Sequence, residues 1–383
     1  MTTTSLSIDL SQADETTSPD GTTASCFGHA DDRAVALSGE VHATAIGISQ
    51  SDLDSSTGDA QAVSAGIGTG TAIAGSGDAS AIGLGIGQSD ADSANGNGTA
   101  ASIGIGAAAA ASAHGDATSV GVGIGQSDVD APAGDGHASS LGTGSAVSVA
   151  QNGAADATGM GIAQTSVQDA AGHSEDMALG LGQAHADGAG SFAYASGTGQ
   201  IVDNGDAKAG MHDAFGASDP SELGAALGDR ALAGILARFE ARAEHLMDRA
   251  HEAALDGDDR SFERDFSVGG HSSRGPHGEG SIEFTSHGLI DPETGDALGD
   301  VSFTFSEEVT LPDGRIVSLS FAYAEQDDLT TGKSQIATAF SMAEGARAST
   351  YASADAGYAH AQTEMSGIEN MGADHALDGL HFV

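Results

Sequence analysis

The sequence predicts an all-β dominated protein: a β-solenoid or β-roll of about ten 19-residue turns, followed by an amphipathic helix and an antiparallel β-meander. Three observations carry that expectation. Glycine recurs at Gly28, Gly47, Gly66, Gly85, Gly104, Gly123, Gly142, Gly161, Gly180 and Gly199, one every 19 residues, and a second column from Gly39 to Gly172 keeps the same period. Within a unit the chain alternates with period two, as in residues 77–92, GDASAIGLGIGQSDAD, which is the spacing of a β-strand. Beyond residue 207 the period stops, and apolar residues recur first at three- and four-residue steps and then in alternation.

Residues 1–25 are rich in Thr and Ser and read as a flexible N-terminal tail, with SLSIDLS at 5–11 as a short strand candidate. The repeat array is assigned to 26–207. It holds no aromatic residue between Phe27 and Phe192 and no Lys or Arg between Arg33 and Lys208. So little apolar bulk per unit cannot offset the entropy of ordering that unit's backbone, so each unit must stack on its neighbours.

Parity puts Ile82, Leu84 and Ile86 on one face of a strand and Gly83, Gly85 and Gly87 on the other. The aliphatic columns continue as Ile46, Ala65, Leu84, Ile103, Val122, Leu141, Met160, Leu179 and as Ile48, Ile67, Ile86, Ile105, Ile124, Thr143, Ile162, Leu181. They are expected to be the buried face, stacked from turn to turn. The glycine face is then left bare for another sheet or chain to approach, or else its glycines sit at tight corners. A 38-residue superperiod keeps a second topology open: QSDLD at 50–54, QSDAD at 88–92 and QSDVD at 126–130 occur in every second unit. That pattern also suits an antiparallel meander with one long strand per unit.

Residues 208–259 read as a linker and an amphipathic helix. Ser218-Asp-Pro-Ser-Glu222 supplies a start signal, and Leu223, Leu227, Leu232, Ile235, Leu236, Phe239, Leu246 and Met247 form the apolar stripe. Residues 260–383 form a β-rich C-terminal region in which alternating runs beginning at Val301, Ile316, Ile336 and Ala348 are separated by turn residues at 312–314 and 331–332.

A net charge of −43 opposes binding to phosphate backbones or anionic lipid, so nucleic-acid partners and membrane insertion are not expected. All the Lys and Arg except Arg33 lie from Lys208 to Arg347. The N-terminus lacks the basic start and apolar run of a Sec-type signal peptide, and Cys26 is alone. The Asp-x-Asp pairs are the sharpest chemical feature. Asp52 and Asp54, Asp90 and Asp92, and Asp128 and Asp130 each put two carboxylates on one strand face, with successive pairs expected about 10 Å apart on alternate turns. They read as solvated edge charges or as candidate calcium ligands, two carboxylates being part of the six to eight oxygens that calcium takes. GLGIG and GVGIG are periodic and precede no helix, so they do not read as dinucleotide loops, and TGKS at 331–334 lacks the leading glycine of a phosphate loop. The 15 histidines are scattered and read as structural or solvent-facing. No catalytic grouping and no certain cofactor emerge.

The stretches GDASAIGLG at 77–85 and GDATSVGVG at 115–123 resemble the head repeats of YadA-like trimeric autotransporter adhesins. That resemblance implies a left-handed parallel β-roll, trimeric self-association and binding to matrix or host surfaces. The 19-residue unit is longer than that family's. The acidic composition, the lack of Lys or Arg after Arg347 and the apolar end at Phe382 and Val383 are similar to type I secreted repeat proteins, which implies a C-terminal export signal and, in many of them, calcium-binding rolls. Together these readings lead to a non-enzymatic structural or adhesive protein, extracellular or on the cell surface, that self-associates as a trimer or lateral bundle. The alternative is a calcium-dependent β-roll folded after export.

Overall fold

The computed structural model describes residues 3–16, 22–55, 60–94, 97–133, 135–169, 173–202, 230–257, 259–269, 276–290, 297–330 and 333–363. The first nine strands are β1 (Thr3–Thr16), β2 (Thr22–Ala36), β3 (Val41–Ser55), β4 (Ala60–Ala74), β5 (Ala79–Ser93), β6 (Gly98–Ser112), β7 (Ala117–Ala131), β8 (Gly136–Asn152) and β9 (Ala155–Asp169). They wind into a parallel β-solenoid. Sheet A takes the odd strands β1-β3-β5-β7-β9 and sheet B the even strands β2-β4-β6-β8. Every pairing joins residues 38 apart, as in Gly47↔Gly85↔Gly123 and Gly66↔Gly104.

One turn is therefore two 19-residue units, and the parallel stack is about four turns high rather than ten. Each unit is one long strand, as the meander reading required, but it pairs in parallel with the next unit but one. The 38-residue superperiod is the length of the coil itself. Residues 3–16, expected in a flexible tail, form the first rung, because Leu6, Ile8 and Leu10 continue the outward columns of Thr44, Ile46 and Ile48.

The glycine face is the interior, which corrects the expected burial. The two sheets pack glycine to glycine so closely that a Cβ on Gly47 would lie 1.9 Å from the carbonyl oxygen of Ile67, and one on Gly85 would lie 1.9 Å from that of Ile105. Backbone meets backbone where sheets normally stand about 10 Å apart. Only a residue without a side chain fits there. Towards the strand ends the gap widens to admit Ala and Ser: Ala79, Ala81, Ser89, Ala91 and Ser93 are buried on the same parity as Gly83, Gly85 and Gly87. Inward hydroxyls pair across the layer, as in Ser119 with Ser148 at 2.7 Å and Ser127 with Ser102 at 2.9 Å.

The aliphatic columns point outward: Leu6, Ile8 and Leu10 on the first rung are 61%, 59% and 69% exposed and Ile82 in the neighbouring column is 40% exposed, while Ile46, Ile48, Leu84, Ile86, Val122 and Ile124 are half-buried and Ile162 is buried. One bend of the coil is stacked turn on turn. Gly39 (φ 98°) and Gly77 (φ 104°) take the left-handed conformation there, and the Gly39 and Gly77 amides donate to the carbonyls of Ser76 and His114 at 2.8 Å. The Asp116 amide donates to the carboxylate of Asp78 one turn below.

The coil stops at a reversal. β10 (His173–Asp187) forms a hairpin with β9, and β11 (Ala189–Val202) pairs antiparallel with β8. Both strands keep the glycine columns, as Gly180↔Gly161 and Gly199↔Gly142. After them come the helix α1 (Arg230–Asp256) and β12 (Arg260–Gly269), β13 (His277–Ile290), β14 (Ala297–Thr310), β15 (Ile316–Asp328), β16 (Ser334–Gly345), β17 (Arg347–Ala356) and β18 (Ala359–Gln362). The expected antiparallel meander is present, and it extends sheet B in the order β12-β13-β14-β15-β16-β11. β17 and β18 extend sheet A beyond β10. The start signal at 218–222, with Leu223 and Leu227, lies outside the described residues.

Here the core is aromatic. The helix stripe Leu232, Ile235, Leu236, Phe239, Leu246 and Met247 is buried on β14 and β15, with the Phe239 ring stacked 4.3 Å from that of Phe305. α1 ends where Gly257 (φ 60°) donates to the carbonyl of Ala254, and the helix approaches β14 so closely that a Cβ on Gly299 would meet that same carbonyl oxygen at 1.8 Å.

Candidate functional site

Two features stand out on this frame: the outer face of sheet A and a buried polar cluster beneath α1.

The outer face of sheet A is a lattice of like residues. Parallel pairing in register places Ile46, Leu84, Val122 and Met160 in one column, Ile48, Ile86, Ile124 and Ile162 in the next, and Gln50, Gln88, Gln126 and Gln164 beside them. Gln88 Nε2 donates to Gln126 Oε1 at 3.0 Å, an amide ladder running along the stack. The predicted acidic residues form the next two columns. Asp52, Asp90 and Asp128 are in register, as are Asp54, Asp92 and Asp130. Because the coil has 38 residues, successive pairs lie on neighbouring rungs about 4.8 Å apart rather than the expected 10 Å. The columns end at β9, where Ser166 and Gln168 replace the aspartates. Asp128 and Asp130 are exposed, and Asp52 and Asp90 are half-buried.

Among the histidines, His137 is exposed near the start of β8, and His173 is the first residue of β10. His185 sits in β10 with Nδ1 2.6 Å from Asp156 Oδ1 and Nε2 3.4 Å from Asp187 Oδ2. The hydrogen bond to Asp156 outweighs partial burial and raises its pKa above the ordinary imidazole value. Lys333, from the rejected phosphate-loop pattern, pairs with Asp176 instead.

The second feature was not legible as a site. Strand parity aims Tyr323, Glu325 and Asp327 of β15 at α1, and His251 occupies the apolar stripe of the helix four residues after Met247. His251 Nδ1 lies 2.6 Å from Glu325 Oε1, the Tyr323 hydroxyl donates to Glu325 Oε2 at 2.7 Å, and the Ser334 hydroxyl donates to Asp327 Oδ1 at 2.6 Å. Asp327 Oδ2 is buried with no hydrogen-bond partner, and the residue is 2% exposed. Burial, and then the adjacent Glu325 carboxylate, push the Asp327 pKa up to about 7, and burial pushes the Tyr323 phenol well above its usual value. Among the described residues, His251, Glu325 and Asp327 are the one group of three such side chains whose metal-ligating atoms lie within 4.8 Å of one another.

Two further carboxylates are strained by burial in the same region. Asp300 accepts from Gln326 Nε2 at 3.0 Å, and Glu307 pairs with Arg242. Desolvation raises both pKa values despite those partners. The sequence signal for this region was an ionisable residue on an apolar helix stripe facing a strand whose apolar parity, Leu319 and Phe321, runs on into Tyr323, Glu325 and Asp327. Compared with known proteins, the chain matches no family model and no curated sequence.

Proposed function

We propose that this chain is a non-enzymatic structural and adhesive protein whose working surface is the outer face of sheet A, and that it acts outside the cell or at its surface. The observation that supports this reading is the outward aliphatic lattice. A soluble chain normally hides such columns, and a contiguous apolar patch bordered by polar groups marks an interaction site. Successive rungs repeat related contacts, Leu6-Ile8-Leu10, Thr44-Ile46-Ile48, Ile82-Leu84-Ile86 and Val120-Val122-Ile124, so a flat apolar or repetitive target is met by many weak similar contacts whose avidity multiplies. The Gln ladder and acidic columns edge the lattice and oppose close packing of one acidic chain on another, which favours an outside target over bundles at low salt.

The test is adsorption of the full chain to methyl-terminated and hydroxyl-terminated sensor surfaces in 0.15 M salt. The expected result is retention on the methyl surface, reduced at least about tenfold by the triple variant L84S/I86S/I124S, with an unchanged circular dichroism spectrum. Equal retention of wild type and variant would remove the reading. Association of the wild type into trimers that the variant cannot form would replace adhesion with self-assembly as the role of the face.

A second reading is favoured by the carboxylate spacing. Calcium–oxygen bonds of about 2.3–2.6 Å place two oxygens on opposite sides of an ion about 5 Å apart, close to the spacing of neighbouring rungs. Calcium bridging Asp52 to Asp90 and Asp90 to Asp128, with the Asp54, Asp92 and Asp130 column beside it, would neutralise repulsion along the stack. A column brings its carboxylates together two at a time, so each ion would draw its remaining ligands from water and the second column. A calcium titration that leaves the melting temperature unmoved would discard this reading.

A further inference from the structure

We propose that His251, Glu325 and Asp327 form a buried site for one divalent metal ion of the zinc class, which pins α1 to β15. Glu325 and Asp327 are neighbours on one strand face, both buried, and both acceptor-only when ionised. Their outer oxygens are already held by the Tyr323 and Ser334 hydroxyls, so the groups that orient the two carboxylates are in place. What remains directed between them is Glu325 Oε1, the partnerless Asp327 Oδ2 and the His251 ring. A buried carboxylate oxygen with no donor is costly unless a proton or a cation meets it.

The ion class follows from the donors. One imidazole nitrogen and two carboxylate oxygens lie within 4.8 Å of one another, and zinc bonds of about 2.0–2.2 Å set tetrahedral ligand atoms about 3.4 Å apart, so a small shift that exchanges the 2.6 Å His251–Glu325 hydrogen bond for two bonds to the ion would suffice. Calcium takes six to eight oxygens, which a buried pocket with one imidazole does not offer. The ligands come from the helix and from the strand beneath it, near the end of α1 where Gly257 terminates it, so the ion would fasten the last helical turns to the sheet. This site is separate from the Asp columns and independent of the adhesive reading.

The experiment uses the full chain, stripped with a chelator and dialysed, with Zn2+ as the probe and Ca2+ as the control. Metal content after gel filtration and melting temperature are the readouts, and Co2+ in place of Zn2+ gives visible ligand-field bands that report ordered binding. Asp327→Asn removes the partnerless charge while keeping its shape, so this variant folds and, without metal, melts no lower than the wild type. The wild type is expected to retain one Zn2+ per chain and to melt higher with it, whereas D327N and His251→Gln bind at least about 100-fold more weakly and show no upward shift. Failure of the wild type to retain Zn2+ would overturn the site and leave a shared proton between the carboxylates. Equal uptake by wild type and D327N would assign the zinc to exposed histidines, and uptake of Ca2+ in preference to Zn2+ would overturn the proposed ion class.

Discussion

The two ends of sheet B are built on opposite solutions to the same problem. In β4, β6 and β8 the sheet is buried against sheet A by having no side chains at its centre, so the stabilising contact is backbone on backbone, with glycine after glycine at the point of closest approach. In β14, β15 and β16 the same sheet is buried by large rings, with Phe303, Phe305, Phe321, Tyr323 and Phe340 packed under a helix. The first region gains from ladder hydrogen bonds and dispersion across a thin dry layer, and the second from area removed from water. The thin layer therefore tolerates no added volume, and the thick one tolerates no loss of it.

The largest expected effect follows directly. A methyl group at Gly85 would lie 1.9 Å from the Ile105 carbonyl oxygen and 2.6 Å from that of Gly66, and neither is a flexible side chain that can turn away. Gly85→Ala is expected to cost more than about 4 kcal/mol, beyond the usual range for point substitutions. Thermal unfolding, followed by protease sensitivity of the solenoid, checks this. A loss below 1 kcal/mol would mean that the sheets separate more easily than the contact distances imply.

Phe239→Ala makes the converse test at the aromatic end. Its ring meets Phe305 at 4.3 Å and Phe340 at 5.7 Å, and removing it leaves a cavity with an expected cost of about 3–5 kcal/mol. Because each coil contacts chiefly its neighbours, hydrogen exchange should accelerate in α1 and β13 to β16 while β3 to β7 keep their protection. Equal acceleration throughout would show that the two regions unfold as one unit.

The reach of the sequence differed between these regions for physical reasons. Period and strand were legible because glycine must recur wherever backbone meets backbone. Which face pointed inward was not, since an alternating Gly and Ile strand reads as buried on its Ile side unless the approach of the opposing sheet is known. The chain reversal was hidden for a simpler reason: the hairpin lies midway between Gly161 and Gly180, so glycine faces glycine in either direction. The expectation of ten turns failed because the glycine period marks one strand, whereas the 38-residue superperiod of QSDLD, QSDAD and QSDVD is the length of the coil. At the aromatic end the helix and the meander were readable from apolar spacing. His251 is not legible as a ligand because its partners, Glu325 and Asp327, lie more than 70 residues away, with only strand parity to indicate where they point.

A smaller effect separates the regions by pH. Burial raises the pKa of Glu307, and Arg242, which also lies over the Phe266 ring, opposes that rise. A carboxyl group with a raised folded pKa adds stability below its unfolded pKa and loses it as pH climbs through the folded value. Arg242→Ala should therefore cost about 1–3 kcal/mol at pH 7, with part of the loss recovered as pH falls towards 5. Melting curves of both forms at pH 7 and pH 5 give the comparison. A variant deficit that widens on acidification would reverse the sign.

The smallest effect tests the inverted burial itself. Were Ile82 part of a stacked core, Ile82→Thr would cost on the order of 1.5–3 kcal/mol, the value of burying an aliphatic side chain. It is 40% exposed on the outer face of sheet A, and Thr keeps the β-branched shape that suits a strand. The expected change in stability is within about 0.5 kcal/mol, while retention on an apolar surface falls with each outward aliphatic removed. Thermal melting and adsorption of the same variant thus read separate faces of one strand. A loss of stability without a loss of adsorption would place the aliphatic column back in the structural core, and it would leave the glycine layer as a consequence of tight coiling rather than the contact that holds the two sheets together.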